Sequence, residues 1–237
     1  MKISVCLASY NGEKYIKEQI QSILPQLSIS DELIISDDGS KDSTISIIKS
    51  FHDERIKLLH NNSHGVNQNF ENALRNATGD IILLSDQDDI WLKGKVEYVK
   101  KMLTRYNLIV HNANVVDSNG DSLGHDYFSL TPHRTGFWGN LWKSRFLGCC
   151  MAFDKKLLND ALPFPKLIVG HDYWIGMLGA AKYDIIFDNK VFLSYRRHGG
   201  NFSSSAEVSN NSWYYKFFKK RLLILWCIIV RCLKIDK

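Results

Sequence analysis

Five short apolar runs alternate with amphipathic stretches over the first 113 residues, and this alternation limits the fold more than any other feature. The runs are residues 3–8, 33–36, 56–59, 81–85 and 108–113. Between them, residues 15–27 carry Ile16, Ile20, Ile23, Leu24 and Leu27 at helical spacing, with Pro25 near the end as a breaker. A second helix is expected after Asp42 or Ser43, either of which can cap it, with Ile45, Ile48 and Phe51 on its apolar face. Two more are expected over 66–75 and roughly 92–105. Strand and helix joined five times by short links read as an α/β fold with a mostly parallel central sheet flanked by helices. Such sheets bind ligands beyond the carboxyl ends of their strands.

Polar clusters stand at those ends. "SYNGE" follows the first strand, "DDGS" the second and "SDQDD" the fourth, so three loops are expected to converge on one edge. The third cluster is the most demanding. Asp86, Asp88 and Asp89 crowd into four residues straight after the apolar Ile81–Leu84 run. Like charges this close raise one another's pKa, and burial adds a desolvation penalty. A hard divalent cation would relieve both, because Mg²⁺ takes one or two carboxylates together with phosphate oxygens. The bland alternative is a solvated acidic turn, and Asp89 alone suits a helix cap. Asp37 and Asp38 can accept hydrogen bonds from a ribose or a base, or can simply build a turn with Gly39. Tyr10 can stack on a base, while Asn11 and Gly12 form a tight turn. Neither GxGxxG nor GxxxxGK[ST] is present.

After residue 113 the pattern changes. Asn119-Gly120 signals a hairpin. Residues 125–150 are rich in aromatics, and helices are expected near Leu157 and over 172–178, with short strands near Ile185 and Phe192. This half reads as completing one cleft. In "GHDYW", Asp172 suits either a general base or a helix cap. In "YRRHGGNFS", Arg196 and His198 suit a pyrophosphate or a metal, or form a solvated basic loop. The formal charge of +5 is mild and gives no reason to expect nucleic acid. Five cysteines without CxxC spacing fit a reducing compartment, and nothing at the N-terminus has the form of a signal peptide. The tail, "WYYKFFKKRLLILWCIIVRCLKIDK", mixes aromatics, cations and an apolar run about half as long as a spanning helix. It suits an amphipathic helix on anionic lipid, or one packed on protein.

Taken together, "SVCLASYNGEKYI", "ISDDGSKDST", "LLSDQDDIW", "GHD" and "RRHGGN" resemble the inverting nucleotide-sugar glycosyltransferases of family 2, with the GT-A fold. They are most similar to bacterial members that build cell-surface polysaccharide such as O-antigen and capsule, the rhamnosyltransferase-like branch in particular. The resemblance implies a domain over 1–205, with a nucleotide-binding half (1–113) and an acceptor-side half (114–205), followed by a basic and apolar helical segment over 206–237. It implies that Ala8, Tyr10, Glu13, Asp37, Asp38, Asp86 and Arg196 bind the nucleotide. Asp86, Asp88 and His198 would hold Mg²⁺ or Mn²⁺, and Asp172 would be the catalytic base. The donor would be a UDP- or dTDP-sugar and the acceptor a lipid-linked saccharide. The protein would be cytoplasmic, peripheral on the inner face of the bacterial plasma membrane through residues 213–237. Family members often carry Glu-Asp at the base, where this chain has His171-Asp172. A carboxylate-pair glycoside hydrolase and a catalytically inactive sugar-nucleotide or carbohydrate-binding protein are the competing readings.

Overall fold

The computed structural model describes residues 1–131, 136–168, 170–198 and 220–233. Nine strands form one sheet: β1 (Ile3–Ser9), β2 (Glu32–Asp37), β3 (Ile56–His60), β4 (Ile81–Ser85), β5 (Ile90–Trp91), β6 (Leu108–Val116), β7 (Ser122–Asp126), β8 (Met151–Asp154) and β9 (Ile185–Arg196). Their order is β3-β2-β1-β4-β8-β6-β9-β5, with β7 added on β6. β1 pairs in parallel with both β2 and β4, and β2 in parallel with β3. β8 then enters antiparallel between β4 and β6, and β9 runs parallel to β6. Strands β3, β2, β1, β4, β6 and β9 therefore all point the same way, as expected.

The helices are α1 (Ile16–Ile23), α2 (Thr44–Lys49), α3 (Val66–Arg75), α4 (Lys95–Met102), α5 (Gly136–Trp142), α6 (Lys155–Ala161), α7 (His171–Lys182) and α8 (Lys220–Cys232). α1 and α3 follow their apolar spacing: Ile16, Ile20 and Ile23 on one, Phe70, Ala73 and Leu74 on the other are buried. Two expectations change. The short strands expected near Ile185 and Phe192 are one twelve-residue strand, β9, whose register on β6 shifts between His111 and Asn112 and again before Asn114. The helix expected over 92–105 begins at Lys95, because Ile90 and Trp91 pair with β9 as β5. The hairpin expected at Asn119-Gly120 joins β6 to β7, and Gly120 adopts φ 95°, which glycine reaches without strain. All five cysteines are free.

At the edge of the sheet away from the polar clusters, Glu32 ties four segments together. Its carboxylate accepts from Ser4 Oγ (2.5 Å), Lys57 Nζ (2.6 Å) and both the backbone N–H and the hydroxyl of Thr78 (2.8 Å each). Burial would raise its pKa. The bonds from Lys57, Ser4 and Thr78 overcome that and hold it at about 2. A depressed carboxylate pKa contributes stability above its ordinary value and loses it as pH falls toward the folded value. Glu32→Gln is therefore expected to lower stability at pH 7 by about 2–3 kcal/mol. It should also flatten the decline in stability between about pH 4.5 and 2. Urea melts across that range check both, and an unchanged acid slope would refute the assignment.

The C-terminal helix α8 packs on α7 through Ile224, Cys227 and Ile228. Arg231 donates to the carbonyls of Asp160, Leu162 and Pro163, and Arg221 to those of Leu141 and Trp142. Its other side exposes Leu222, Trp226, Ile229 and Leu233. One face of the expected amphipathic tail is thus committed to protein, and residues 213–219 and 234–237 of that segment lie outside the described residues. Among the described residues, no helix is long and apolar enough to cross a membrane.

Candidate active site

Parallel strands bring the three polar loops to one edge, and hydrogen bonds clasp them there. The side chain of Gln87 reaches the loop after β1 with both amide atoms: Tyr10 N donates to Oε1 (2.9 Å) and Nε2 donates to Tyr10 O (3.0 Å). The same loop is tied to the one after β2. Asn11 N donates to Ser40 Oγ (2.8 Å), Lys41 N to Asn11 Oδ1 (2.9 Å) and Gly12 N to Thr44 Oγ1 (2.7 Å). Gln87 also explains Gly12, since a Cβ at that position would lie 2.2 Å from Gln87 Oε1. Gln87 is the middle residue of Asp86-Gln87-Asp88, and sequence reasoning passed over it.

The expected nucleotide residues fall into two groups. Tyr10 is exposed and Ala8 half-buried at the end of β1. Asp38 is partly buried, and its Oδ1 accepts from Asn61 Nδ2 (2.7 Å) and its Oδ2 from Gly65 N (2.8 Å), which ties it to the loop after β3. Asp37 and Glu13 are framework residues in this structure. Asp37 is buried and accepts from Ser9 Oγ, Ser40 Oγ and the backbone N–H groups of Gly39 and Ser40. Those four bonds engage both carboxylate oxygens, so it shapes the turn that presents Asp38. Glu13 accepts from Ser43 N (2.8 Å) at the start of α2.

Arg196 is also placed otherwise than expected. It is 2% exposed and lies behind the acidic loop. Its Nε donates to the carbonyl of Asp88 (2.8 Å), Nη1 to that of Ser118 (3.0 Å) and Nη2 to Glu18 Oε2 (2.6 Å). Its backbone N–H donates to Asp89 Oδ1 (3.0 Å), so Asp89 joins the end of β9 to the acidic loop instead of capping a helix. The guanidinium and the His198 ring both pack on Tyr15, each 4.8 Å from its ring centroid. Held this way, Arg196 positions the Asp88 backbone from within the protein. The neighbouring Gly199 to Ser203 lie outside the described residues.

Asp86 lies within electrostatic reach of both Asp88 and Asp172. Burial raises the pKa of Asp86 above the carboxylate range, and the charges of Asp88 and Asp172 raise it further. Burial and then the charges of Asp88 and Asp86 do the same to Asp89, whose buried Oδ2 has, among the described residues, no hydrogen-bond partner of ordinary geometry, with the Cys149 thiol beside the carboxylate. Asp88 Oδ2 meets His198 Nε2 at 2.9 Å. Asp86, Asp89 and Cys149 each have a ligand atom within 4.8 Å of the others. A crowded set of hard oxygen donors with an orphaned buried carboxylate oxygen fits a divalent cation. The Cys149 thiol fits a hard cation poorly, and burial raises its pKa well above the usual value.

Asp172 sits in the first turn of α7. Its Oδ1 accepts from Tyr173 N (2.7 Å). Among the described residues its Oδ2 has no hydrogen-bond partner. His171, the residue before it, turns the other way. Its ring stacks on Phe70 at 3.8 Å, its backbone N–H donates to Asn67 Oδ1 (2.9 Å), and burial lowers its pKa. His171 thus anchors the start of α7 to α3, and the side chain at this position packs in the protein. Lys220 of α8 lies 4.8 Å over the Tyr173 ring, which brings the last helix beside the start of α7.

A strand-end carboxylate cluster with Asp172 in electrostatic reach of it, on a sheet of this order, is the arrangement of the nucleotide-sugar transferases of the GT-A fold. The family model for glycosyl transferase family 2 matches residues 4–162. The chain belongs to this family and is a glycosyltransferase. It is 30% identical over 208 residues to the UDP-Glc:alpha-D-GlcNAc-diphosphoundecaprenol beta-1,3-glucosyltransferase WfgD of Escherichia coli, covering 86% of this chain and 80% of that protein. It is 27% identical over 250 residues to the dTDP-rhamnosyl transferase RfbG of Shigella flexneri, covering 89% of this chain and 81% of the relative. Its fold is similar to that of S. aureus TarS 1-349 in complex with UDP-GlcNAc. The TM-score is 0.72 at 23% identity, over 98% of this chain and 67% of that one.

Proposed function

We propose that this glycosyltransferase is metal-dependent and inverting, and moves a sugar from a UDP- or dTDP-sugar to a lipid-linked saccharide in cell-surface polysaccharide synthesis. The observation that carries this reading is the electrostatic proximity of Asp172 to the Asp86/Asp88 pair, at the edge where the three loops are clasped. The activities of WfgD and RfbG support the two donor classes, and that of WfgD supports the acceptor class.

In this reading, Asp38 faces the pyrimidine and Tyr10 covers it, while Gln87, Asp37 and Glu13 hold their loops in place. Asp88 and His198, with Asp86 beside them, would hold Mg²⁺ or Mn²⁺. The bound metal would offset the charge that develops on the leaving diphosphate. Asp172 Oδ2 takes the proton of the acceptor hydroxyl as that oxygen bonds to the anomeric carbon. The bond from that carbon to the diphosphate oxygen breaks in the same displacement, and UDP or dTDP leaves. One displacement inverts the anomeric configuration. A carboxylate-pair hydrolase would leave the clasped loops around Tyr10 and Asp38 without a role.

Thermal melts with a nucleotide panel test this. At ~100 times Kd a ligand stabilises by about 2.7 kcal/mol, or roughly 5–10 °C for a chain of this size. We expect a shift of that order with UDP or dTDP in Mn²⁺ or Mg²⁺, and little shift with ADP or GDP or in EDTA. Equal shifts with and without metal would remove the metal from the reading. No shift with either pyrimidine nucleotide would refute the donor site.

A further inference from the structure

Lys95 stands where a cation is least welcome. It is the first residue of α4, at the end where the helix dipole is positive, and it is fully buried. Burial pulls its pKa down to about 8. Its Nζ donates to the carbonyl of Cys149 (2.8 Å) and lies 4.1 Å over the Trp91 ring. Both partners face the acidic loop: Cys149 approaches Asp86 and Asp89 with its thiol, and Trp91 follows that loop in sequence. Against burial, Cys150 and Cys149 and then Asp89 and Asp86 act on the ammonium through space. The two carboxylates are themselves buried and mutually repelling, with the Cys149 thiol beside both. Each of these placements is unfavourable alone.

We propose that Lys95 is the built-in counter-cation of the acidic loop: it stabilises the carboxylate cluster when no metal is bound, and by the same charge it holds down the affinity for a divalent cation. Lys95 is a positioning residue, acting through Asp86 and Asp89. The second half of the proposal rests on the metal-dependent reading above, and the first half does not.

The test is a mutant cycle on the full chain with two readouts. In EDTA, Lys95→Met is expected to melt well below wild type. Lys95→Met/Asp89→Asn should recover part of that loss, because the double variant removes both charges of the pair. With free Mn²⁺ and no nucleotide, titrated by the electron paramagnetic resonance signal of the unbound ion, Lys95→Met should bind about tenfold tighter or more. Lys95→Arg should stay near wild type. If Lys95→Met does not fold, the cycle is run in EDTA with Lys95→Gln. Additive losses in EDTA would overturn the counter-cation role, as would unchanged or weaker Mn²⁺ binding by a folded Lys95→Met. If wild type binds no Mn²⁺ with or without UDP, the metal-dependent reading fails, and the affinity half of the proposal falls with it. The EDTA cycle still decides the stabilising half.

Discussion

Asp172→Asn is expected to lower sugar transfer by about a thousandfold while leaving the UDP affinity within about twofold. The substitution keeps the shape of the side chain. Asn Oδ1 can still accept from Tyr173 N, so the first turn of α7 stays in place. What it removes is an oxygen that can take up a proton from the acceptor hydroxyl. It also removes one of the charges that raise the pKa of Asp86, so donor binding should not suffer. Initial rates with the donor, set beside UDP melts in Mn²⁺, separate the two effects. A matched loss of turnover and UDP binding would make Asp172 a structural cap.

Arg196→Met is expected to cost about 3 kcal/mol of stability, the range found when one partner of a buried charge network is removed. The guanidinium joins the Asp88 carbonyl, the Ser118 carbonyl and Glu18 across three segments far apart in sequence. Without it, the Asp88 carbonyl loses a charged donor, and only the backbone bond from Arg196 N to Asp89 still ties the end of β9 to the acidic loop. UDP binding in Mn²⁺ should then weaken in step with stability, and Arg196→Lys should recover only part of either. The contrary result is as informative. Full stability with a loss of UDP affinity of about tenfold or more would place the guanidinium on the diphosphate, as the sequence pattern had it.

These two residues mark how far sequence reading reaches here. The parallel half of the sheet is legible because each strand is a short apolar run bounded by polar turns, and α3 and β4 begin and end where the pattern says. The acidic loop and Asp172 stand out because carboxylates at those places need a reason. The direction a side chain takes is harder to read. Asp37 and Asp38 are adjacent and chemically identical, yet one closes its own turn from inside and the other reaches across to the loop after β3. Arg196 looks like a free cation beside glycines until three acceptors from distant segments surround it. Lys95 resembles any surface lysine in an amphipathic helix, and only the packing of Cys149 and Trp91 reveals its burial. β8 is hidden for a similar reason. Its run is four residues long, and its antiparallel place between β4 and β6 is a long-range choice.

That placement bears on how the chain folds as it is synthesised. β4 leaves the ribosome more than sixty residues before Met151, so one of its edges has no partner until β8 follows. β6 waits likewise, and both are apolar and buried in the finished protein. The nascent chain therefore carries facing open edges on both strands, a single four-residue strand bridges them, and the far edge of β6 waits longer still, for β9. A chain stalled or cut before Met151 would display the template for aggregation that the finished sheet conceals.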